Sequence, residues 1–265
     1  MEACGLFAGI GGLELGSRQQ GIHTRAFCEI DPHAQRVLAA RFPEVPADQR
    51  SLDVLELPSL PRCDLLTAGF PCQDLSMAGT KVGIRGERSG LVNTLFSLLE
   101  RASQGAPGLP GRAPDWLLVE NVPYMLYLDR GEAMRFLTAE LQRMGWAWAY
   151  RVVDARAFGV PQRRLRVILL ASRQHDARPL LFAQDAEPVV NDSTKVDRPD
   201  IGYGFYWTEG RRGLGWTVDG VPTIKGGSSL GIPSPPAVWN RPADHVGLPD
   251  ISDLERLQEI GRAHV

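Results

Sequence analysis

Short apolar runs alternate with longer amphipathic stretches along the first part of the chain. The runs HTRAFCEI, CDLLTAGF and DWLLVENV are typical of strands, and the last two are continuous enough for parallel strands covered on both faces. The stretches with helical spacing are LELGSRQQ, DPHAQRVLAARF, GLVNTLFSLLERA and GEAMRFLTAELQRM. In the second of these, Asp31 is a candidate N-cap and Pro32 stands in the first turn. The alternation predicts an α/β fold with a doubly wound sheet.

The pattern changes toward the C-terminus. Two further runs, AWAYRVVDA and RLRVILLAS, are joined by a turn that contains Pro161 and predict a closing antiparallel pair. From residue 174 to residue 249 the chain is rich in Gly, Pro, Asp and Trp, with only short β-like pieces such as GWTVDGVPTIKGG. We therefore predict a first domain over residues 1–173 and a small, irregular, β-containing domain over residues 174–249.

Composition narrows the function classes only a little. The 265 residues, 43% of them hydrophobic, are enough to bury a sizeable core. No apolar run approaches the roughly 20 residues of a membrane span, and the N-terminus lacks a signal-peptide layout, so we expect a cytoplasmic protein. The net charge of −2 leaves any nucleic-acid contact to local patches. The cysteines lack the spacing of a disulfide framework or a zinc site, so we expect free thiols and no metal: Cys4, Cys28, Cys63 and Cys72.

The first apolar run, GLFAGI, begins almost at residue 1 and predicts an opening strand, which leads into a glycine-rich turn, LFAGIGG. A ligand can approach Gly9, Gly11 and Gly12 closely because they lack Cβ, and Glu29, about 20 residues on, suits ribose hydroxyls. The position that would carry the third glycine of a dinucleotide motif is Glu14, which disfavours a pyrophosphate clamp. The pattern favours a nucleoside cofactor. The alternative is a tight turn without a ligand.

A second candidate site lies in AGFPCQDLSMAG, where Pro71 precedes Cys72 at the end of a predicted strand. Ligands bind at such strand ends in doubly wound sheets, and a nearby positive charge favours the nucleophilic thiolate. The long Gly-rich segment that follows is basic at Lys81, Arg85 and Arg88, which suits a phosphate backbone. The alternative for a single cysteine is a small buried apolar residue, and we accept it for the other three.

In the stretch LLVENVPYM, the apolar run stops at two polar residues, Glu120 and Asn121. A carboxyl among apolar neighbours can have its pKa raised by desolvation and act as an acid, and the rival role is capping. In FGVPQRRLRVILL, a strand would present Arg164 and Arg166 on one face and Arg163 on the other. Arginines on a core-side face need an anion or a carboxylate, whereas a solvated strand edge needs none.

The ordered set FAGIGG, GFPCQ, ENV and QRRLR resembles the motifs of the C5-cytosine DNA methyltransferase family over residues 3–173. The pieces PTIKGG and ISDLERLQ resemble the family's recognition region and the helix after it. The resemblance implies a doubly wound S-adenosylmethionine-dependent methyltransferase fold with a target-recognition domain over residues 174–249. It also implies a monomer without membrane association that binds S-adenosylmethionine and double-stranded DNA, in some cases alongside a cognate restriction endonuclease.

The resemblance implies a role for each matching residue. Cys72 would add to C6 of a flipped-out cytosine, Glu120 would contact N3, and Arg164 and Arg166 would orient the base and the glutamate. Asn121 would support the loop. Glu29 would bind the ribose, Asp53 the adenine, and Ile30 stands where many relatives have an aromatic residue. The cofactor set is Phe7, Gly9, Gly11, Gly12, Glu29, Ile30 and Asp53, and the DNA set is Lys81, Arg85, Arg88, Thr223, Ile224 and Lys225, with Trp216 a further candidate.

Other functions stay open. A tRNA cytosine methyltransferase shares these motifs, and the recognition-like region favours DNA. A non-catalytic DNA-binding relative is disfavoured because Cys72, Glu120 and Arg164 are all present. The glycine spacing disfavours a nicotinamide dehydrogenase, because it is not that of a dinucleotide motif. The sequence also lacks the proline-rich motif of the amino-methylating enzymes, which disfavours that class.

The end of the chain departs from the family. We expect residues 250–259 to begin the family's returning C-terminal helix, after which relatives continue with Gly-Phe-Pro. The last six residues, IGRAHV, instead match one reading frame of a common sequencing-library adapter. We therefore expect residues 260–265 to be a non-native tail, and the shortened chain to bind S-adenosylmethionine poorly and to be impaired as an enzyme.

Overall fold

The computed structural model describes residues 1–51, 53–71, 90–106, 109–110, 112–186, 198–206, 215–224 and 235–258. The chain divides into two compact units. The first consists of Met1–Val152 and Val167–Gln184, and the second of Val153–Arg166 and Asp185–Val265. Residues 72–89, which contain Cys72 and the predicted basic loop, lie outside the described ranges, as do Lys225 and the tail from residue 259.

A seven-stranded sheet forms the centre of the first unit. Within the described ranges the first ten strands are β1 (Glu2–Leu6), β2 (His23–Cys28), β3 (Arg50–Ser51), β4 (Leu65–Ala68), β5 (Gly105–Ala106), β6 (Leu109–Pro110), β7 (Trp116–Asn121), β8 (Ala147–Asp154), β9 (Gln162–Arg163) and β10 (Leu165–Ser172). The sheet has the order β3-β2-β1-β4-β7-β10-β8. Its first five strands pair in parallel, whereas β10 runs antiparallel to β7. The predicted doubly wound α/β fold is confirmed.

Of the helices described in the first unit, the four longer ones follow the predicted amphipathic stretches, and the short last one was not predicted. They are α1 (Gly12–Gln19), α2 (Pro32–Arg41), α3 (Gly90–Gln104), α4 (Glu132–Arg143) and the short α5 (Arg178–Leu181). Single 3-10 turns occur at Ala47–Gln49, Val54–Glu56, Pro123–Leu126, Leu128–Gly131 and Ala155–Phe158. The predicted N-cap of α2 is confirmed, because Asp31 accepts hydrogen bonds from the backbone N–H groups of His33 and Ala34.

The core of the first unit lies between the sheet and its helices. Strand residues Leu66, Leu117 and Leu169 are inaccessible to water, as are residues spaced four apart on the inner faces of the helices: Leu95 and Leu99 on α3, Leu137 and Leu141 on α4. Each such side chain contributes about 1.5–3 kcal/mol by burial. A smaller cluster joins α2 to β2, where the rings of Phe27 and Phe42 meet edge to face at 4.9 Å.

The second unit contains a separate antiparallel sheet. Its remaining elements are β11 (Gly202–Tyr206), β12 (Gly215–Val218), β13 (Val221–Pro222), β14 (Ala237–Asn240), β15 (His245–Gly247) and α6 (Ile251–Arg256). Four of them form a sheet in the order β12-β11-β14-β15, while β13 pairs in parallel with β9. The sequence pattern predicted only short β-like pieces here and missed β11 and β14, whose aromatic and small residues do not alternate with polar ones.

Two details differ from the sequence-based expectations. Arg164 was expected within one strand together with Arg166, but it lies in a break between β9 and β10. The strand is interrupted because β9 pairs with β13 whereas β10 pairs with β7. The segment Val153–Arg166 groups with the second unit, and residues 174–184 group with the first. The assignment of catalysis to one unit and DNA recognition to the other stays a prediction.

None of the helices in the described ranges has the length and apolar character that a bilayer-spanning helix needs.

Candidate active site at the carboxyl edge of the sheet

The carboxyl ends of β1, β2, β4 and β7 meet at one edge of the sheet because these strands are parallel neighbours. Three residues that the sequence analysis singled out, Phe7, Glu29 and Glu120, lie at this edge. Phe7 follows β1, Glu29 follows β2, Gly69 follows β4, and Glu120 lies near the end of β7. In doubly wound sheets this edge is where ligands bind.

The turn Phe7–Gly12 connects β1 to α1 through several left-handed residues. Phe7 has φ 55°, Gly9 has φ 56° and Gly11 has φ 84°. The Gly11 N–H donates to the Ala8 carbonyl at 2.9 Å, and the Ala8 N–H donates to the Cys28 carbonyl at 3.2 Å. A Cβ on Gly11 would lie 2.6 Å from the Phe42 ring, so packing also requires glycine there. A Cβ on Gly9 or Gly12 would meet nothing within 4 Å, which leaves open space beside the turn.

Glu29 ties the glycine turn to the end of β2. Its Oε2 accepts from the Gly9 N–H at 2.6 Å, and its Oε1 accepts from the Asp31 N–H at 2.8 Å. Each carboxylate oxygen has a further lone pair that can accept from a hydroxyl group. The neighbouring side chains are apolar and open to solvent, since Ile30 is 68% and Ile10 is 49% exposed. The arrangement offers both polar and apolar contacts.

Asp53 lies beyond β3, which borders β2 at the same side of the sheet. Its Oδ1 accepts from the Leu55 N–H at 2.8 Å and caps the turn Val54–Glu56. The second carboxylate oxygen remains for another contact, and Leu55 beside it is 53% exposed.

Glu120 lies next to the end of β4 and the Phe7 turn. A Cβ on Gly69 would be 3.8 Å from Glu120 Oε2 and 3.5 Å from the Phe7 carbonyl oxygen, so both groups lie beside Gly69. The rings of Phe7 and Phe70 pack edge to face at 6.2 Å. The structure therefore brings Glu120 together with the glycine turn, as the strand order implies.

Asn121 links β7 to the segment that leads to Cys72. Its side chain is 4% exposed, and its Nδ2 donates to the Phe70 carbonyl at 2.9 Å. Its Oδ1 accepts from the Val122 N–H at 2.9 Å. Phe70 and Pro71 are the last described residues before Cys72, so this amide holds the chain where that cysteine follows.

The three arginines predicted in the segment QRRLR belong to the second unit: Arg163, Arg164 and Arg166. The candidate recognition residues Thr223 and Ile224 belong to the same unit. The Arg163 Nη1 donates to the Trp216 carbonyl at 3.0 Å, and the Thr223 hydroxyl donates to the Arg163 carbonyl at 2.6 Å. The Arg164 carbonyl accepts from the Ala155 N–H at 3.0 Å. These contacts join the arginine segment to the candidate recognition residues within one unit.

Sequence reasoning gave no role to Glu14, whose side chain is buried behind the glycine turn and is 1% exposed. Desolvation raises the pKa of its carboxyl above the usual 4.5 and outweighs the hydrogen bond with Thr67, which lowers it. A signal was present in the sequence, because Glu14 lies between Leu13 and Leu15 in the first turn of the helix.

Comparisons with known proteins show which family the chain resembles. Residues 1–200 match the family profile described as C-5 cytosine-specific DNA methylase. The chain is 53% identical over 259 residues to the Type II methyltransferase M2.BsuMI of Bacillus subtilis, an alignment that covers 97% of this chain and 64% of that protein. It is 37% identical over 175 residues to the Type II methyltransferase M.NlaX of Neisseria lactamica, over 64% of this chain and 52% of that one. The chain thus spans less than two thirds of the length of either relative.

The fold of this chain is similar to that of solved methyltransferase structures. A putative DNA modification methyltransferase encoded within an E. coli prophage has a TM-score of 0.53 at 20% identity, over 72% of this chain and 53% of that chain. The Dnmt2 methyltransferase of S. pombe has a TM-score of 0.50 at 18% identity, over 66% of this chain and 50% of that chain.

Proposed function

The chain belongs to the C-5 cytosine-specific DNA methylase family, and from that premise we propose that it transfers a methyl group from S-adenosylmethionine to C5 of cytosine in double-stranded DNA. The observation that carries the proposal is the meeting of Glu120, the turn Phe7–Gly12 and the segment before Cys72 at one sheet edge. An acid, a ligand-binding turn and a thiol are the groups that this chemistry needs.

An adenosyl group fits the residues at this edge. Open space lies beside Gly9 and Gly12, and Glu29 has lone pairs available for ribose hydroxyls. Ile30 offers an exposed apolar surface to the adenine ring, and Asp53 has one carboxylate oxygen left for its amino group. When bound, S-adenosylmethionine supplies an electrophilic methyl group.

Cytosine C5 is too weak a nucleophile to take that methyl unaided, so covalent catalysis is required. We propose that the Cys72 thiolate adds to C6 while Glu120 protonates or hydrogen-bonds N3, which draws the displaced electron pair into the ring. The resulting enamine would form the C5–methyl bond as the methyl–sulfur bond of the donor breaks, and the donor's sulfur would keep that electron pair and leave as a neutral thioether. Loss of the C5 proton then returns an electron pair that breaks the C6–sulfur bond and releases Cys72. The base must leave the duplex to reach this site.

The remaining candidates would act on the DNA. Arg164 and Arg166 are proposed to orient the base, and Lys81, Arg85 and Arg88 to bind phosphates near it. Thr223, Ile224 and Lys225 are proposed to read sequence. Because both relatives described above carry Type II methyltransferase names, we place the activity in a restriction–modification context, with a cognate endonuclease that is not a stable subunit.

Trapping with 5-fluorocytosine tests the proposal. In the presence of S-adenosylmethionine, the fluorine cannot leave as a proton does after methyl transfer, so the chain should remain bonded through Cys72 to a duplex that contains this base in its target sequence. Cys72→Ser should form no adduct, because a hydroxyl is far less available as an anion near neutral pH. Cys63→Ala is the matched control, since it removes a buried thiol before the opposite end of β4, and it should retain the adduct.

Mass spectrometry of the trapped peptide identifies the nucleophile. An adduct on another cysteine would contradict the assignment of Cys72. Methylation of a tRNA transcript with none of duplex DNA would contradict the proposed substrate.

A further inference from the structure

The only buried residue of α1 is a glutamate. A helix usually buries an apolar stripe, and burying a carboxyl is costly unless hydrogen bonds compensate. Glu14 is 1% exposed, so its carboxyl is shielded almost completely from water. The proposed reaction does not use this group, and its position requires another explanation.

The Glu14 carboxyl lies against two neighbouring strands. Its Oε1 is 2.5 Å from the Thr67 hydroxyl oxygen on β4. A Cβ on Gly5 of β1 would be 2.9 Å from Glu14 Cδ, so only glycine leaves room for the carboxyl there. Gly5 and Thr67 are direct partners in the β1–β4 pairing. One side chain therefore holds α1 to both strands at the same level.

The protons in this cluster can be counted. The Thr67 hydroxyl oxygen also lies 3.3 Å from the Cys4 carbonyl oxygen, and its single proton cannot serve both neighbours. A protonated Glu14 supplies the second proton, since it can donate to Thr67 while Thr67 donates to Cys4. Among the residues that the structure describes, Glu14 Oε2 has no hydrogen-bond partner, which is far less costly for a neutral acid than for a carboxylate.

The two residues that make this contact flank the glycine turn in the sequence. Gly5 stands two residues before Phe7, and Glu14 stands three residues after Gly11, the N-cap of α1. The middle of the turn is held separately, by the Gly9 hydrogen bond to Glu29. The distance between the end of β1 and the start of α1 therefore depends on the Glu14 side chain.

We infer that Glu14 is a positioning residue for methyl-donor binding: its carboxyl group, bonded to Thr67 and packed on Gly5, sets the separation of β1 and α1 and so the shape of the turn Phe7–Gly12. The inference rests on the proposed function of that turn. Glu14 acts through the turn and does not itself touch the ligand.

Substitutions at Glu14 and Thr67 test the inference, with Thr24→Val as the matched control because Thr24 is also a buried strand threonine, on β2. S-adenosylmethionine affinity is measured by isothermal titration calorimetry. Glu14→Ala and Thr67→Val should each weaken binding about tenfold, the factor that corresponds to one net hydrogen bond of about 1.4 kcal/mol. Glu14→Gln should retain wild-type affinity, since its amide can donate to Thr67 in place of the acid, and Thr24→Val should retain it as well.

Amide hydrogen exchange without ligand provides a second readout. Exchange over residues 7–15 should accelerate in Glu14→Ala and stay at the wild-type rate in Glu14→Gln and Thr24→Val. Wild-type affinity and exchange in Glu14→Ala would overturn the inference, and so would a Glu14→Gln variant as weak as Glu14→Ala. Equal losses in Thr24→Val would also overturn it, because they would indicate a general stability effect.

The two proposals fail separately. A wild-type chain that neither binds S-adenosylmethionine nor forms the 5-fluorocytosine adduct would contradict the proposed function. The exchange rates of residues 7–15 would then still support or overturn the role of Glu14 in shaping the turn.

Discussion

At Gly11 the backbone conformation and the packing both exclude a side chain. Its φ is 84°, and a Cβ would lie 2.6 Å from the Phe42 ring. Gly11→Ala should lower the free energy of unfolding by about 2 kcal/mol or more, from backbone strain and overpacking together. Gly16 offers the contrast, because it is exposed within α1 and a Cβ there would meet nothing within 4 Å.

Gly16→Ala should raise the free energy of unfolding by about 0.5–1 kcal/mol, since alanine loses less entropy in a helix. Urea unfolding of both variants measures the difference. A Gly11→Ala protein as stable as the wild type would show that α1 and α2 can separate at no cost, contrary to the packing described above.

The buried carboxyl of Glu14 should make the stability of the protein depend on pH. Burial raises the pKa of Glu14 above 4.5 in the folded chain, so the folded state keeps a proton that the unfolded state releases. The stability from this group is complete below pH 4.5 and is lost as the pH rises through the folded pKa. Glu14→Gln removes this titration.

The unfolding free energy of Glu14→Gln relative to wild type should therefore increase with pH, by about 1.4 kcal/mol for each unit by which the two pKa values differ. Urea titrations from pH 4 upward measure it. Parallel pH profiles for the two proteins would mean that the pKa of Glu14 is the same in the folded and the unfolded chain.

Among the elements, β7 and the end of β4 are joined by the Asn121 amide at the Phe70 carbonyl. Asn121→Asp removes the donor and leaves a buried carbonyl unpaired, so it should cost about 1–3 kcal/mol of stability. It should also slow adduct formation with 5-fluorocytosine, because Phe70 and Pro71 lead directly to Cys72.

Asn93→Asp provides the control for this prediction, since Asn93 is exposed on α3. Urea unfolding and the rate of adduct formation are the measurements. If Asn121→Asp formed the adduct at the wild-type rate, the amide would not position the segment before Cys72.

For the whole molecule, the division into two units predicts where specificity can be exchanged. Residues 174–184 belong to the first unit, where Arg151 Nη1 donates to the carbonyls of Leu181 and Gln184 at 3.0 and 2.9 Å. Grafting residues 185–249 from a relative with another target should therefore transfer that target sequence, and grafting residues 174–184 alone should not. Bisulfite sequencing of DNA from the expressing host reports the methylated sites. An unchanged target after the longer graft would contradict the assignment of recognition to the second unit.

Several features of this protein follow from local sequence. The strand and helix alternation of the first unit and the Asp31 cap of α2 are visible in periodicity and capping residues, because both depend on near neighbours. The strand-end positions of Phe7, Glu29 and Glu120 follow as well, since parallel pairing carries each strand end to one edge. The order of the motifs then identified the family.

Other features depend on contacts between residues far apart in the chain. The bonds of Thr67 to Glu14 and of Asn121 to Phe70 span 53 and 51 residues, so no local pattern encodes them. Arg164 looked like part of one strand, yet a change of pairing partner between β9 and β10 interrupts it. Glu14 looked like a missing glycine, and only the approach of Gly5 and Thr67 turns it into a buried acid that supports the turn, because burial is a property of the assembled fold.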